Sequence, residues 1–123
     1  MSMKKYHSEE TKMKLTIPVK SLSVNRAFQG RRFKSKDYVD FCRDVCRMLP
    51  RAKKTITGAC RVIYTFHESN YIMVDVDNQI KTIQDMIVAL EYIFDDRQII
   101  ELCAKKIKCK KGEEKIIINI EEI

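Results

Sequence analysis

The chain has 123 residues, of which 45% are hydrophobic and 33% charged, and its 24 Lys and Arg against 17 Asp and Glu give a formal charge of +7. That length fits one domain with a core of its own, and the composition excludes a disordered or collagen-like chain. The cationic excess favours an anionic partner, nucleic acid or an acidic membrane surface, without choosing between them.

Residues 1–11 are polar and read as a flexible N-terminal arm, which leaves 12–123 as the folded domain. Lys14 to Pro18 alternates briefly and stops at the proline, as a first strand does. Residues 19–35 form a long polar stretch carrying Gly30 and the cations Arg26, Arg31, Arg32 and Lys34. A loop of that length is either functional or a surface hairpin with solvated cations. Ser35 is placed to N-cap a helix from Lys36 to Met48, with Tyr38, Phe41, Cys42, Val45 and Leu49 at helical spacing. Pro50 ends it, and Arg51 to Lys54 is a basic connector.

Residues 56–66 alternate as a strand, Glu68 to Asn70 reads as a turn, and Tyr71 to Val74 as a further short strand. A second helix is expected from about Asp77 to Tyr92, with Ile80, Ile83, Ile87 and Leu90 inward. Residues 99–107 and 115–120 read as a closing antiparallel pair around a turn at Lys110 to Glu113. The order β-α-β-β-α-β-β describes a single small α+β domain, a mixed sheet packed with two main helices.

No apolar run approaches the roughly 20 residues that span a bilayer. The first 14 residues carry charge throughout and contain no apolar signal core, so a cytoplasmic location and no membrane partner are expected. Five cysteines is an odd number, and no pair has the C-x-x-C spacing of a zinc or redox site. Small buried apolar side chains are the favoured reading of all five.

The informative segment is Asp75-Val76-Asp77-Asn78-Gln79-Ile80-Lys81, followed by Asp85 and then Asp95-Asp96-Arg97-Gln98. On a helix turning about 100° per residue, Asp77, Asn78, Lys81 and Asp85 share one polar face opposite the isoleucines. Asp75 ends an apparent strand and reaches the same place, and Asp95-Asp96 joins it if the chain folds back. Two carboxylates 4 Å apart repel by on the order of 4 kcal/mol at an effective dielectric near 20, so a cluster needs a cation or a proton. An oxygen-rich set of this kind suits Mg²⁺ or Mn²⁺. The plainer reading stands beside it: an N-capping aspartate, an i,i+4 ion pair between Lys81 and Asp77 or Asp85, and a turn at Asp95-Asp96.

Taken whole, the string Asp75-x-Asp77-Asn78-x-x-Lys81-x-x-x-Asp85, then Asp95-Asp96-x-Gln98, resembles the signature of the RusA-type Holliday-junction resolvases. The resemblance extends to the Pro18 strand, Asn25-Arg26, the Gly- and Arg-rich loop, Lys34-Ser35 before a helix with Tyr38, and the Lys-Gly turn, and it covers about residues 13 to 122. It departs near the start, where a single Pro18 and a later Val24-Asn25-Arg26 replace the family's paired prolines and closely following asparagines.

The resemblance implies a small homodimeric endodeoxyribonuclease, dependent on Mg²⁺ or Mn²⁺, that resolves four-way DNA junctions by paired symmetric nicks in recombination and repair. The family also occurs in phage and prophage contexts. By position, Asp75, Asp77 and Asp96 are then the metal-binding catalytic carboxylates and Lys81 the basic catalytic residue. Asn78, Asp85 and Asp95 support the site, and Asn25, Arg26, Arg31, Arg32 and Lys34 contact DNA. Two other classes stand beside this one: a non-catalytic branched-DNA-binding recombination accessory protein, and a metal-dependent phosphohydrolase acting on small molecules.

Overall fold

The structure is a computed structural model that describes residues 12–29 and 33–123. Arg31, Arg32 and the arm at 1–11 lie outside the described residues, as do the side chains of Asn25 and Lys34.

The chain runs β1 (Lys12–Ile17), a one-turn helix α1 (Val24–Ala27), a minimal hairpin β2 (Phe28–Gln29) and β3 (Phe33–Lys34), and helix α2 (Lys36–Met48). Then come β4 (Cys60–Glu68), a 3₁₀ turn (Val76–Gln79), helix α3 (Ile80–Ala89), a second 3₁₀ turn (Asp96–Gln98), β5 (Ile99–Lys108) and β6 (Lys115–Glu122). The long polar stretch at 19–35 is therefore not one loop, because it contains α1 and the hairpin.

The two main helices form where the apolar spacing places them. Ser35 caps α2: its Oγ accepts from the Tyr38 N–H at 3.2 Å, and its hydroxyl donates to the Arg26 carbonyl at 2.5 Å. Tyr38, Phe41 and Val45 are the buried stripe. The helix closes with the Leu49 N–H on the Val45 carbonyl, and Pro50 follows. In α3 the buried stripe is Thr82, Ile83, Met86 and Ile87. Thr82 is polar, but its Oγ1 donates to the Leu22 carbonyl at 2.7 Å, which ties α3 to the segment before α1. Glu91, at φ 67°, turns the chain after the helix.

Four strands make a mixed sheet in the order β1-β6-β4-β5. β4 is its centre, antiparallel to β6 on one side and parallel to β5 on the other. Cys60, Val62, Tyr64 and Phe66 of β4, with Ile116, Ile118 and Ile120 of β6, meet the helices' apolar stripes in one core. Tyr64 and Phe66 stack nearly parallel, with ring centroids 5.9 Å apart.

Four expectations are corrected here. Tyr71–Val74 is not a strand but part of a turn, with Ile72 and Met73 74% and 82% exposed. Among the described residues its backbone joins no strand ladder: the Met73 N–H bonds the Asn70 carbonyl, and the Val74 carbonyl takes the Lys106 ammonium. β5 and β6 do not pair with each other, because β4 lies between them. The buried β4 satisfies both of its edges, which a terminal hairpin could not do. Helix α3 starts at Ile80 rather than Asp77, after a 3₁₀ turn. Finally, the cysteines are not uniformly buried: Cys60 is, Cys42 and Cys109 are half-buried, and Cys46 and Cys103 are exposed. All five are free thiols.

Candidate active site

β4 carries the chain to one end of the sheet, and Ser69 to Val74 turns it back toward α3. Asp75 stands at the head of the 3₁₀ turn, where its extended backbone (φ −87°, ψ 122°) precedes the turn. Its carboxylate accepts from the Asn78 side-chain amide at 3.2 Å, and its carbonyl accepts from the Asn78 N–H at 3.1 Å. Asn78 thus holds Asp75 rather than the far side of the helix, because the tighter 3₁₀ winding replaces the 100° step over residues 76–79. Asp77 is exposed and makes no side-chain hydrogen bond or ion pair among the described residues.

Asp75 and Asn78 border a cavity of about 290 Å³ shared with Arg26, Glu68 and Gln79. Glu68 is buried at the end of β4, where the Ser21 hydroxyl donates to it, and burial raises its pKa against the lowering from that bond and from Lys20. Gln79 is buried too, and its Oε1 has no hydrogen-bond partner among the described residues.

On α3 the i,i+4 pair forms. Lys81 Nζ lies 2.9 Å from Asp85 Oδ1, with the two side chains 53% and 33% exposed. The hydrogen bond from Asp85 raises the Lys81 pKa, and the charges of Asp85 and Asp96 add to it. The chain folds back far enough for Asp96 to line one cavity with Asp85, the partner of Lys81. Asp85, Asp95, Asp96, Tyr38 and Phe94 line a cavity of about 410 Å³. Under it, the buried Tyr64 hydroxyl donates to Gln84 Oε1 at 2.9 Å, and burial raises its pKa strongly. Burial also pushes Tyr38 up to about 12, with Cys42 and Asp85 adding to the shift.

Asp95 has a structural task. It caps the second 3₁₀ turn by accepting from the Arg97 N–H at 2.8 Å, and it takes the Arg97 guanidinium at 3.0 Å. These hydrogen bonds hold its carboxyl down at about 2. Gln98 closes the capping box and does more. Its Oε1 accepts from the Phe94 and Asp95 N–H groups at 2.7 and 2.9 Å. Its Nε2 donates to the Ile56 and Gly58 carbonyls at 2.8 and 2.9 Å. Gln98 was visible in the sequence string, but its role in fixing the Asp96 loop was not; the Asp-x-x-Gln spacing of a capping box is the signal that could have found it.

Of the expected DNA contacts, Arg26 is exposed but paired with Asp37 at 2.8 Å. Arg51 of the basic connector is likewise paired, with Glu91 at 2.8 Å.

A divalent ion needs hard oxygen donors, and Asp75, Asp77 and Asp96 supply them, with Asp77 uncommitted to any other side chain among the described residues. Among those residues, however, no group of three or more His, Cys, Asp or Glu side chains is arranged to hold a metal ion. The donor chemistry of Asp75, Asp77 and Asp96 fits Mg²⁺, which takes oxygen ligands and is commonly held by only one or two carboxylates.

Among curated proteins, nothing matches the chain. A family model does, that of endodeoxyribonuclease RusA, over residues 19–121. The match takes in α1, both main helices, both 3₁₀ turns and the three strands from β4 onward, and so every acidic residue of the site. With both main helices, three of the four sheet strands and that acidic string in the matched span, the chain belongs to the RusA endodeoxyribonuclease family.

Proposed function

We propose that the protein is a divalent-metal-dependent, structure-selective endodeoxyribonuclease that resolves Holliday junctions in DNA recombination and repair, acting in the cytoplasm as a homodimer. The observation that carries this reading is that Asp96, from the loop after α3, lines one cavity with Asp85, the partner of Lys81, inside a chain of this family. Residues from two separate segments act at one place, and a merely solvated helix face does not require that. The domain assigned to this work is 12–123, with 1–11 as an arm.

Asp75, Asp77 and Asp96 would hold the metal, Mg²⁺ or Mn²⁺. When bound, such an ion would supply Lewis acidity and make a bound water more acidic than bulk water. Lys81 is protonated at any physiological pH, and its ammonium neutralises charge developing on the scissile phosphate. Asp85 positions that ammonium. The water oxygen bonds to phosphorus, one P–O ester bond breaks, and the released sugar oxygen takes a proton. Asn25, Arg26, Arg31, Arg32 and Lys34 are proposed phosphate contacts; Arg26 exchanges its Asp37 partner for phosphate on binding. Such contacts position a duplex without reading its sequence, so selectivity for branch structure is expected. A junction's approximate two-fold symmetry matches an isologous dimer.

The test is cleavage of a mobile four-way junction beside a matched linear duplex, with Mg²⁺, Mn²⁺ or chelator, for wild type and Asp77→Asn. Paired nicks confined to the junction, lost with chelator and in the variant, are expected. Normal turnover by Asp77→Asn would refute the assignment. A second reading has one observation in its favour, the separation of the acidic side chains. On it the protein is a branched-DNA-binding accessory module, and tight junction binding with no cut under any metal is its outcome.

A further inference from the structure

β5 is ten residues long and, among the described residues, pairs on one side only, with β4. Long apolar edges are usually shortened, bent or blunted by proline and charge, because their free N–H and C=O groups template pairing. This edge carries Glu101, Lys105, Lys106 and Lys108 and a register shift at its start but no proline, it keeps its full length, and Ile100 and Leu102 on it are 61% and 51% exposed. From Glu101 on, its side chains alternate: Glu101, Cys103, Lys105 and Ile107 share one face of the sheet and Leu102, Ala104 and Lys106 the other, while the register shift at Ile100 leaves Ile99, opposite Cys60, on the core face.

We propose that this edge pairs antiparallel with the β5 edge of a second copy, in a register centred on Cys103. The inference rests on the proposed function only for its expectation of two subunits, and it gives that homodimer a surface. A two-fold axis normal to a continuous sheet keeps each face on its own side, so a residue meets only residues of its own face. Centring on Cys103 sets Glu101 opposite the partner's Lys105 and Leu102 opposite the partner's Ala104, with Ile100 beside the partner's Lys106. Centring one residue later sets Glu101 against the partner's Ile107 and Leu102 against the partner's Lys106. One residue earlier, Glu101 meets the partner's Cys103. Shifts of two residues put lysine on lysine at 105, or glutamate on glutamate at 101. Only the register centred on Cys103 sets Glu101 opposite a lysine of its own face, so charge complementarity selects it.

The side chains are available for it. Glu101 holds Arg61 through Oε1 at 2.7 Å, which leaves its second oxygen open. Lys105 has no ion pair among the described residues. The pairing joins the two four-stranded sheets into one of eight strands, with β5 and the partner strand at its middle.

The register predicts a specific cross-link. Directly opposed residues in an antiparallel pair have Cα atoms about 4.5–5.5 Å apart, within the roughly 4.4–6.8 Å that a disulfide spans. Cys103 is exposed and would face the partner's Cys103. Diamide, which takes up the two thiol hydrogens, should convert the reduced full-length protein to a covalent dimer on a non-reducing gel. The band should vanish in Cys103→Ser and persist in Cys46→Ser, the other exposed cysteine. By sedimentation, Lys105→Glu and Glu101→Lys should each weaken the dimer by roughly tenfold, since symmetry places each like-charge contact twice. The double exchange should restore it, although a lysine at 101 still faces Arg61 in the same chain. A dimer unaffected by either single change, a cross-link that survives Cys103→Ser, or a monomer at all concentrations would overturn the proposal. Junction cleavage measured on the same samples is read separately: intact cleavage with a failed register leaves the nuclease standing, and the correct register without cleavage removes only the nuclease.

Discussion

Asp85→Asn should leave the fold almost unchanged and slow cleavage far less than Lys81→Ala does. At 2.9 Å, one unit-charge pair in water is worth about 1.4 kcal/mol, and with the side chains 53% and 33% exposed the surroundings are closer to water than to protein interior. Fixing two flexible side chains removes most of that, which leaves about 0.3–0.5 kcal/mol for an exposed i,i+4 pair. Asparagine still accepts a hydrogen bond from Lys81, so the ammonium stays nearby but is less firmly aimed. The expected loss is up to about tenfold in kcat, with KM for the junction little changed. Lys81→Ala removes a charge aimed at the transition state and should cost about 10²–10³ in kcat. The pH profile carries a further signature. Asp85 and Asp96 raise the Lys81 pKa, so the pair's contribution is complete below the unfolded lysine value and is lost as pH rises through the higher folded value. Any alkaline limb due to Lys81 should therefore move to lower pH in Asp85→Asn. The assay is single-turnover cleavage of a labelled junction from neutral to alkaline pH, with a urea melt for stability. Loss in Asp85→Asn as deep as in Lys81→Ala would show that Asp85 meets the metal or the substrate directly. An unmoved alkaline limb would show that Lys81 does not govern it.

Ile87→Ala removes a fully buried side chain between α3 and the sheet and should cost about 2–5 kcal/mol, read from the urea midpoint at constant m. Ser35→Ala should cost about 1 kcal/mol by the same measurement, since it uncaps α2 and releases the Arg26 carbonyl. Arg97→Ala should raise the Asp95 pKa from about 2 toward the ordinary carboxylate range, followed by NMR titration. The sign follows from the depressed value: Asp95's contribution is present above the unfolded aspartate pKa and is lost as pH falls through about 2, so the variant should lose stability at a higher pH than wild type.

The helices were legible because local rules agree with packing there. Ser35 caps where its position predicts, and Val45 and Ile87 fall inward where a 3.6-residue period puts them. The strand order was not legible, because nothing local encodes it. Lys110 to Glu113 is a turn whether it joins neighbouring strands or steps over one. Stepping over β4 takes about 10 Å across the sheet, and the six residues from 109 to 114 span up to about 20 Å. Tyr71 to Val74 misled for the opposite reason, since β-propensity describes fit to a sheet surface and its backbone joins no strand ladder among the described residues. The acidic string was read with the wrong local geometry. Asn78 bonds to Asp75 because a 3₁₀ turn precedes the helix, and no pattern of charges reveals that winding.

Gln98 gives the Asp96 loop a particular thermodynamic character. Four hydrogen bonds from one side chain fasten residues 94–95 to the strand-entry segment at Ile56 and Gly58. The loss of conformational freedom for that loop is incurred when the protein folds, not when a ligand arrives. A ligand that binds at Asp96 then meets a loop whose backbone at residues 94–95 is already fixed, and its affinity carries no ordering penalty for that backbone. The two processes become linked. Any change that loosens Ile56 to Gly58, on the far side of those bonds from the acidic cavity, returns the ordering penalty to the binding step and weakens affinity without touching a ligating atom.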